Sequence, residues 1–550
     1  MKNILNMIEE AKKIASEYGE VVGLVSRVVP ISHGVENNKI RAEIPHDVYL
    51  NRKFTIGTYV GIVLPVSKTI MLGRITAVER SDILAISRTP ALSPIEDPTA
   101  LTTPLSLTIE LLSEKVENEI VPPSSPVDPQ SPLFFPNKEF IKEMLGLNAE
   151  GIKIGRLVEG YKVIDAEVVL TEQMLRHHVL VVGTTGAGKT NLLKVIVSRS
   201  KIPTMVFDLQ GDYVKLVASL GGNIILPITR DYVEKYKGDI IGFIQHFLRR
   251  SGLDGYNPSP KIVDGLKFTL SNGKNLFNLI LLGFRFMKSY EALAEVSPIF
   301  SYQGAFYFKL TTRDCVKNNY ELVIDDWIEN CESMMDKSVH FGTKQNIERA
   351  IIMLKETGII DVEADRIAYD ERNSNREKIV YDEPNYEELL KGKNVLDLRF
   401  VLEKGTQASV TTAFLVIDRI FKIIDSRYKD QGKETPFLMI FDEAHEYFPQ
   451  TSGRDEEKEA LESLINRILR LGRVRGIGTI LATHKPTDLN DLIITLTNTK
   501  IAMRADEDAL RHIGMDEYAD ILQASPPGYG IMRTFTLRVK DLIFRTDKFE

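Results

Sequence analysis

The segment Gly183–Thr190, with the sequence GTTGAGKT, constrains the fold of this chain more than any other part of it. It matches G-x-x-x-x-G-K-[ST], a glycine-rich loop whose backbone N–H groups cradle phosphate oxygens. The apolar run Val179–Val182 precedes the loop and a helix-forming run begins at Asn191, so the segment has the strand, loop and helix that the motif needs. The sequence therefore predicts an α/β protein with a phosphate site where the helix begins.

The side chains of this loop predict which ligand it holds. Lys189 is expected to reach the β- and γ-phosphates of a nucleotide, and Thr190 is expected to ligate Mg²⁺. We therefore predict ATP and Mg²⁺ as cofactors. The predicted nucleotide-binding residues are Gly183, Thr184, Thr185, Gly186, Ala187, Gly188, Lys189, Thr190 and Asn191.

A second motif, the apolar run from Pro436 to Phe441, ends in the adjacent acids Asp442 and Glu443. It predicts a buried strand with carboxylates at its C-terminal edge, where ligands sit in open α/β sheets. Asp442 is predicted to hold Mg²⁺, directly or through water. Glu443, on the other side of the strand's pleat, is predicted to orient or deprotonate the attacking water. The acid pair, with no N-K-x-D or L-S-G-G-Q-like motif in the sequence, favours an ATPase of the RecA and AAA type.

Three arginines, Arg470, Arg473 and Arg475, follow an amphipathic helical segment that begins at residue 455. Arginines beside a nucleotide site are typical of residues that stabilise charge on the γ-phosphate of a neighbouring subunit, a chemistry that needs an oligomer. We predict this role for Arg470 and Arg473. The alternative is a basic turn on the protein surface.

The apolar run that begins at Gly478 ends in the polar residues Thr483 and His484, which predicts another strand ending at the same sheet edge. Either side chain is a candidate sensor of the γ-phosphate, and His484 is our candidate catalytic residue. The alternative for His484 is a structural histidine whose hydrogen bonds are satisfied within the protein.

The domain organisation follows from changes in pattern along the chain. The first region after an amphipathic N-terminal helix is rich in β-branched residues, with glycines where a small barrel would bend. That helix either packs on the next domain or docks a partner. A cluster of prolines follows the barrel region, and from about residue 150 strands alternate with helices, which indicates a mainly parallel sheet.

The predicted division is a helix at 1–18, a small β-barrel at 19–118, a Pro-rich linker at 119–150, a RecA-like core at 151–227 and 376–520, a helical insertion at 228–375 and a C-terminal tail at 521–550. The predicted core strands are 178–183, 203–208, 394–398, 436–442, 478–483 and 499–504.

Composition restricts the partners and the compartment. The net charge of −7 over 550 residues excludes a uniformly basic nucleic-acid coat but not a ring whose pore is lined by a few Lys and Arg. We find no stretch of eighteen or more apolar residues and no secretory signal, which predicts a cytoplasmic protein without a membrane partner. The two cysteines, Cys315 and Cys331, have no metal-binding spacing and predict no disulfide framework.

Together these motifs resemble the HerA branch of the HerA/FtsK superfamily of DNA translocases. His177–Asn191 is similar to H-x-x-V-x-G-x-T-G-[SA]-G-K-[ST]-N, and Asp208–Tyr213 is similar to D-x-x-G-E-Y with Asp212 in place of Glu. The other similar segments are Arg470–Gly478 (R-x-G-R-x-x-G-x-G), Asn498–Arg504 (N-T-x-I-x-x-R), Pro526–Gly530 (the late L-P-x-G turn) and, more loosely, the barrel segments Gly57–Val60 and Leu72–Arg74.

The resemblance implies an ATP-driven double-stranded DNA translocase or helicase. It implies a homo-hexameric ring with ATP between subunits and duplex DNA in the pore. It also implies a NurA-like nuclease partner, with which HerA processes DNA ends for recombinational repair of double-strand breaks. The family usually has S-Q-R-P where this chain has Thr483–Pro486 (THKP), so His484 stands at the position of the Gln sensor. Two alternatives stay open, a conjugation or secretion ATPase of the same superfamily and an ATP-gated scaffold whose barrel recruits a partner.

Overall fold

A computed structural model gives the fold of the chain. It describes residues 2–32, 34, 38–80, 103, 105–237, 239–257, 261–264, 266–297, 299–318, 322–366, 377–450 and 455–549. The chain divides into two compact units. The first comprises Met1–Thr171 and Tyr529–Asp547, and the second comprises Glu172–Gly528 and Lys548–Glu550.

The first unit contains a closed antiparallel barrel of six strands in the order β2-β1-β7-β3-β4-β5, in which β5 pairs back onto β2. A short strand, β6, extends the edge of β5. Inward-facing residues alternate with outward-facing ones along β5, as expected where one face of a strand covers a core. The strands are β1 (Gly19–Val25), β2 (Lys39–Ile44), β3 (Tyr59–Val63), β4 (Ile70–Arg80), β5 (Leu105–Val116), β6 (Glu119–Val121) and β7 (Pro132–Pro136).

The prediction of a Pro-rich linker at 119–150 is wrong. Strand β7, from this segment, pairs with both β1 and β3 and therefore completes the barrel. Its prolines, Pro132 and Pro136, lie at the two ends of the strand, where the missing backbone N–H interrupts few hydrogen bonds between strands. A Cβ on Gly61 of β3 would lie 2.0 Å from the ring of Phe134, so only glycine lets β7 pack here.

The rest of the first unit is a four-stranded antiparallel arrangement in the order β22-β23-β8-β9. Residues 521–550 therefore do not form a separate tail, because β22 and β23 belong to this arrangement. Residues 151–171, which we expected in the ATPase core, belong to the same unit as the barrel. The bounds are β8 (Ile152–Glu159), β9 (Lys162–Leu170), β22 (Tyr529–Arg533) and β23 (Leu542–Thr546), and the helices of this unit are Lys2–Tyr18, His46–Asn51 and Lys138–Leu145.

The second unit is built on a sheet with the strand order β13-β14-β15-β12-β18-β11-β19-β20-β10-β21. The eight strands from β15 to β21 in this order are parallel, and β14 and β13 continue the sheet antiparallel. The bounds are β10 (Val179–Val182), β11 (Thr204–Asp208), β12 (Asn223–Pro227), β13 (Lys261–Asp264), β14 (Lys267–Ser271), β15 (Leu276–Leu282), β16 (Glu363–Arg366), β17 (Glu377–Val380), β18 (Lys393–Asp397), β19 (Phe437–Phe441), β20 (Ile477–Thr483) and β21 (Thr499–Met503).

The six predicted core strands correspond to β10, β11, β18, β19, β20 and β21. They were recognisable because they are near-continuous apolar runs, as expected of parallel strands covered on both faces. Every residue of β10, β11, β19 and β20 is buried. Because these strands are parallel, their C-terminal ends lie at one edge of the sheet, and the predicted site residues follow them there.

The region 228–375 is only partly the helical insertion that we expected. Strands β13, β14 and β15 come from it and extend the main sheet, and β16 with β17 forms a separate hairpin. The strands of this region were not recognised from the sequence because polar residues and turns interrupt their apolar pattern.

The main helices of this unit are Lys189–Arg199, Val214–Ser219, Arg230–Tyr236, Ile240–Arg250, Phe286–Val296, Tyr302–Asn318, Phe341–Thr357, Thr406–Gln431, Asp455–Asn466, Asp491–Leu496, Glu507–His512 and Ala519–Ala524. The shorter ones are Glu172–Arg176, Trp327–Cys331, Tyr386–Leu389, Arg399–Leu402, Ala444–Tyr447 and Gly472–Val474.

A disulfide joins Cys315 to Cys331 and corrects our expectation that the cysteines would not pair. The two residues lie on helices Tyr302–Asn318 and Trp327–Cys331, whose packing brings two buried thiols together although their spacing in sequence suggests nothing. Within the described ranges, no helix is both long and apolar enough to cross a bilayer.

Candidate functional site

The phosphate loop lies between β10 and helix Lys189–Arg199, as its sequence predicted. Both the N–H and the hydroxyl of Thr184 donate to the carbonyl of Arg504, at 2.7 and 3.0 Å, and fasten the start of the loop. Gly186 has a φ of +78° and open space where a Cβ would stand, so the middle of the loop is an uncovered turn of backbone. This is the geometry in which N–H groups are free to face an anion.

The flanks of the loop are held by the C-terminal part of the same unit. The carbonyl of Ala187 accepts the N–H of Gly528 at 2.9 Å. Asn191, one turn into the helix, accepts the N–H of Phe549 through its side-chain oxygen at 2.9 Å. Thr185, at the tip, is exposed. The loop is therefore fixed at its sides and accessible at its centre.

Lys189 folds back over the loop. Its ammonium donates to the carbonyls of Gly183 at 2.8 Å and Thr184 at 3.4 Å, and the side chain is almost fully buried. Burial lowers the pKa of Lys189, while the nearby carboxylates of Glu443 and Asp442 oppose that fall. A buried cation beside a rigid turn of N–H groups fits a phosphate chain.

Asp442 lies beside Thr190 at the C-terminal end of β19. Its Oδ2 accepts the hydroxyl of Thr190 at 3.2 Å and the hydroxyl of Tyr213 at 2.7 Å. Burial raises the pKa of Asp442, and the hydrogen bond from Tyr213 opposes the rise. A hydroxyl and a carboxylate side by side are the hard oxygen ligands that Mg²⁺ prefers, so these residues fit the ion that we predicted.

Tyr213 is a site residue that our list of candidates omitted. It is fixed by Asp208 at the end of β11, whose carboxylate accepts the backbone N–H groups of Gly211 at 2.7 Å and of Tyr213 at 2.9 Å. Burial raises the pKa of Asp208 to about 7, with a further contribution from the charge of Asp397. The signal in the sequence was the Asp208–Tyr213 element, whose role was not apparent before Asp442 was placed beside it.

Glu443 begins a turn rather than continuing the strand. Strand β19 ends at Phe441, and Glu443 has a φ of +53°, which is uncommon for a residue with a side chain. Our argument from the pleat of the strand is therefore wrong, because alternation of side chains holds only within a strand. Non-glycine residues in this region of φ concentrate at functional sites, where the surrounding structure enforces the strain.

His484 contacts Glu443 directly. Strand β20 pairs in parallel with β19, with Leu481 opposite Phe441, so the residues that follow the two strands lie side by side. The Nδ1 of His484 is 2.7 Å from Oε2 of Glu443, and since a carboxylate only accepts, the imidazole N–H donates. Thr483, our other candidate sensor, is fully buried, and its hydroxyl contacts Nδ1 of His445 at 3.0 Å.

The predicted arginines lie on a turn of π-helix, Arg467–Leu471, and on the short helix after it. Arg470 and Arg473 are exposed and, within the part of the chain that the structure describes, make no hydrogen bond or ion pair with Lys189, Asp442 or Glu443. The structure of one chain therefore does not bring the two arginines to its own phosphate site.

The arginines on either side of this pair have partners in the same chain. Arg467 donates to Asp418 at 2.7 Å, and Arg475 contacts Asp425 and packs over the ring of Phe421. Arg475, the third arginine of the sequence cluster, is thus a structural residue. Only Arg470 and Arg473 keep their guanidinium groups at the surface.

A buried histidine connects the π-helical turn Arg467–Leu471 to β10, the strand that precedes the phosphate loop. His178, which directly precedes β10, lies with its Nε2 2.8 Å from the carbonyl of Leu469. Burial lowers the pKa of His178 to about 4, so the ring is neutral at ordinary pH. Turns of π-helix are frequent at functional sites, and here one leaves a carbonyl for this contact.

A family model described as the central domain of the helicase HerA matches residues 152–416. Over this region, just under half of the chain, the protein is similar to the HerA central domain. The matched region contains the phosphate loop, Asp208 and Tyr213, whereas Asp442 and Glu443 lie beyond it.

Two curated relatives are similar to the chain over more residues than the family model matches. The chain is 25% identical over 421 residues to a DNA double-strand break repair helicase HerA of Pyrococcus furiosus, covering 72% of this chain and 68% of that protein. It is 21% identical over 414 residues to a probable DNA double-strand break repair helicase HerA of Methanocaldococcus jannaschii, covering 70% of this chain and 73% of that one.

Similar solved structures include VirB4 of Thermoanaerobacter pseudethanolicus, which is 14% identical with a TM-score of 0.41 and covers 73% of this chain and 98% of that chain. Another is the plasmid coupling protein TrwB in complex with ADP and Mg²⁺, which is 12% identical with a TM-score of 0.45 and covers 75% and 92%.

Proposed function

We propose that this chain is an ATP-driven translocase or helicase of double-stranded DNA that acts with a nuclease in processing DNA ends for double-strand break repair. The observation that carries the proposal is the convergence of Lys189 and Thr190 with Asp442 and Glu443, from two segments far apart in sequence, at one edge of the sheet. The similarity to DNA double-strand break repair helicases supports the choice of DNA repair.

The proposed binding step uses the loop and its lysine. The backbone N–H groups of the loop and the ammonium of Lys189 hold phosphate oxygens of ATP, and the ammonium exchanges its present carbonyl partners for them. Thr190 and Asp442 hold Mg²⁺, which supplies positive charge against the phosphates when it is bound. Tyr213 keeps the Asp442 carboxylate in one orientation through its hydrogen bond.

The proposed hydrolytic step uses Glu443. Its carboxylate orients the attacking water or takes a proton from it, which is the contribution of a general base. His484 donates a hydrogen bond to this carboxylate and so fixes where its second oxygen points. The strained turn at Glu443 places the carboxylate beyond the end of β19, next to the phosphate loop rather than within the sheet.

The proposed trans step explains the two exposed arginines. In a homo-hexamer with ATP between subunits, Arg470 or Arg473 reaches the γ-phosphate held by the adjacent chain and stabilises its charge. A residue with this role must be free of partners in its own chain and exposed on its surface. The side chains of Arg470 and Arg473 are exposed and make no hydrogen bond or ion pair among the residues that the structure describes, whereas Arg475 contacts Asp425.

The experiment that tests the proposal is the ATPase rate of purified protein with and without linear duplex DNA, at low and moderate salt. We expect stimulation by DNA that falls as salt rises, because counterions compete for phosphate contacts. Absence of ATPase activity with and without DNA would contradict the enzyme assignment. ATPase activity that duplex DNA leaves unchanged, even with a NurA-like nuclease present, would contradict the DNA translocase and favour a different cargo or a scaffold.

A further inference from the structure

Three potential metal ligands meet at the end of strands β19 and β20. One ligand atom from each of Glu443, His445 and His484 lies within 4.8 Å of the other two. The Oε2 of Glu443 is 2.7 Å from Nδ1 of His484 and 3.6 Å from Nδ1 of His445. The two imidazole rings are perpendicular, with centroids 4.8 Å apart. The ligands are thus arranged around a common point rather than in a row.

The type of ligand in this cluster differs from that at Thr190 and Asp442. Two imidazoles with one carboxylate suit Zn²⁺ and similar transition metals, whereas Mg²⁺ prefers oxygen ligands alone. Bonds of about 2.0–2.2 Å to nitrogen and oxygen put tetrahedral ligands roughly 3.3–3.6 Å apart. The distances from Oε2 of Glu443 to the two imidazole nitrogens, 2.7 and 3.6 Å, are close to this spacing. Side-chain movements of about an ångström or less would therefore bring the ligands to the spacing of a metal site.

The surroundings of His445 are those of a metal ligand. Its Nε2 lies 3.5 Å from the carboxylate of Glu446, and ligating histidines commonly direct their other ring nitrogen at such a carboxylate. The hydroxyl of Thr483 accepts the N–H of Lys485 at 3.0 Å, which leaves its hydrogen available to donate to Nδ1 of His445. In this arrangement Nδ1 carries its one lone pair towards the Thr483 hydroxyl, and binding of a metal at Nδ1 requires that hydroxyl to turn away.

We propose that Glu443, His445 and His484 bind one Zn²⁺-like transition-metal ion, at a site separate from the Mg²⁺ position on Thr190 and Asp442. Binding at Nδ1 of His484 replaces the N–H that now donates to Glu443. The ring changes tautomer, with its proton moving through solvent to Nε2, and stays neutral. The rings of the two histidines come from different strand ends, so the ion also fixes the end of β20 to the turn that follows β19.

The site has a consequence for the proposed ATPase, and this part rests on the proposed function. A metal ion on Glu443 occupies the carboxylate that activates water. Thr190 and Lys189 lie outside the cluster, so nucleotide binding should persist. Zn²⁺ is therefore expected to inhibit hydrolysis at saturating Mg²⁺ and ATP while leaving the affinity for ATP within about twofold, since the phosphate contacts are kept.

The deciding experiment is calorimetric titration of Zn²⁺ into the nucleotide-free 550-residue chain, stripped of transition metals and kept in excess Mg²⁺. We expect one ion per chain, and affinity at least about tenfold weaker in His484→Gln, because loss of even an indirect metal partner commonly costs that much. Gln keeps the size and a hydrogen-bond donor to Glu443, so the variant should fold. Visible absorption of Co²⁺ in the same two proteins reports the coordination directly.

The matched control is His512→Gln, the same change at a surface histidine outside the cluster, which should bind Zn²⁺ as the wild type does. Equal Zn²⁺ affinity in His484→Gln and the wild type, or no stoichiometric binding to the wild type, would overturn the metal site. Stoichiometric binding that leaves ATP hydrolysis unchanged would instead retain the site and contradict the role of Glu443 in the proposed function. The two failures are therefore distinguishable.

Discussion

The hydroxyl of Tyr213 donates to Oδ2 of Asp442 at 2.7 Å, the same oxygen that accepts the hydroxyl of Thr190 at 3.2 Å. Tyr213 is fully buried, and its pKa is raised well above the usual value by burial and by the charge of Asp442, so it remains a donor. The tyrosine therefore fixes the carboxylate that we propose as a Mg²⁺ ligand.

Tyr213→Phe is expected to weaken the response of ATP hydrolysis to Mg²⁺. Removing one partner of a ligating carboxylate commonly costs about tenfold or more in metal affinity. The Mg²⁺ concentration for half-maximal ATPase rate should rise by that factor, with less effect on the rate at saturating Mg²⁺. Tyr447→Phe is the control, since Tyr447 is a buried tyrosine whose hydroxyl has no hydrogen-bond partner in the described part of the chain. An unchanged Mg²⁺ dependence in Tyr213→Phe would contradict the role.

Glu443→Gln is expected to bind ATP and hydrolyse it poorly. Gln keeps the size of the side chain but removes the basic oxygen, and general-base contributions are roughly 10²–10⁴-fold in rate. ATP binding measured by calorimetry should be retained, in contrast to Lys189→Ala, which removes the ammonium from the phosphate loop. Glu446→Gln, three residues along the chain, is the control with the same chemical change. Normal turnover in Glu443→Gln would contradict the assignment of Glu443 as the general base.

Much of the site was predictable because its residues follow apolar runs that are unmistakable as buried parallel strands. The sequence alone placed the ends of β10 and β19 at one edge of the sheet. Lys189 and Thr190 follow the first of these strands, and Asp442 and Glu443 follow the second. The contact between His484 and Glu443 needed the order of strands, in which β20 directly neighbours β19. Sequence patterns fix the type of an element more readily than its neighbours in a sheet.

The errors have physical causes that a pattern does not contain. Strand β7 begins and ends at prolines, which resembles a linker when its partners β1 and β3 are unknown. Strands β13 and β14 have four and five residues and lie at one edge of the sheet, where alternation is weak, and Asn278 interrupts the apolar run of β15. Pairing of Cys315 with Cys331 depends on how two helices pack, a long-range property that spacing in sequence does not reveal.

Arg473→Ala is expected to abolish turnover without destabilising the fold. Arginines that act in trans contribute roughly 10³-fold or more, and an exposed side chain contributes little to stability. Mixing this variant with Lys189→Ala chains should restore part of the ATPase rate, because some interfaces then combine an intact loop with an intact arginine. Arg475→Ala is the contrast, since loss of the Asp425 contact should lower the thermal midpoint. Failure of the mixture to regain activity would count against the trans role.

The buried neutral ring of His178 predicts a loss of stability in mild acid. Its pKa is about 4 in the folded chain because of burial, against 6.5 when unfolded, so the unfolded chain takes up the proton first. Stability is fully present above about pH 6.5 and is lost as pH falls towards 4, by about 2 kcal/mol between pH 7 and pH 5. His178 has a φ of +63°, which Asn tolerates better than most residues. His178→Asn should therefore remove this part of the pH dependence, and His177→Asn should not. Equal pH dependence of thermal unfolding in both variants would contradict the prediction.

The disulfide between Cys315 and Cys331 is expected to stabilise the helical part of the second unit. A cross-link that closes a loop of this size, with a sequence separation of 16, contributes about 3 kcal/mol by restricting the unfolded chain. Replacing both cysteines by Ala should therefore lower the thermal unfolding midpoint of the purified protein, and reductant should shift the wild type but not the double variant. Thiol titration of the unfolded wild type under non-reducing conditions should find no free thiol. Two titratable thiols with no effect of reductant would show that the cross-link is not formed in solution.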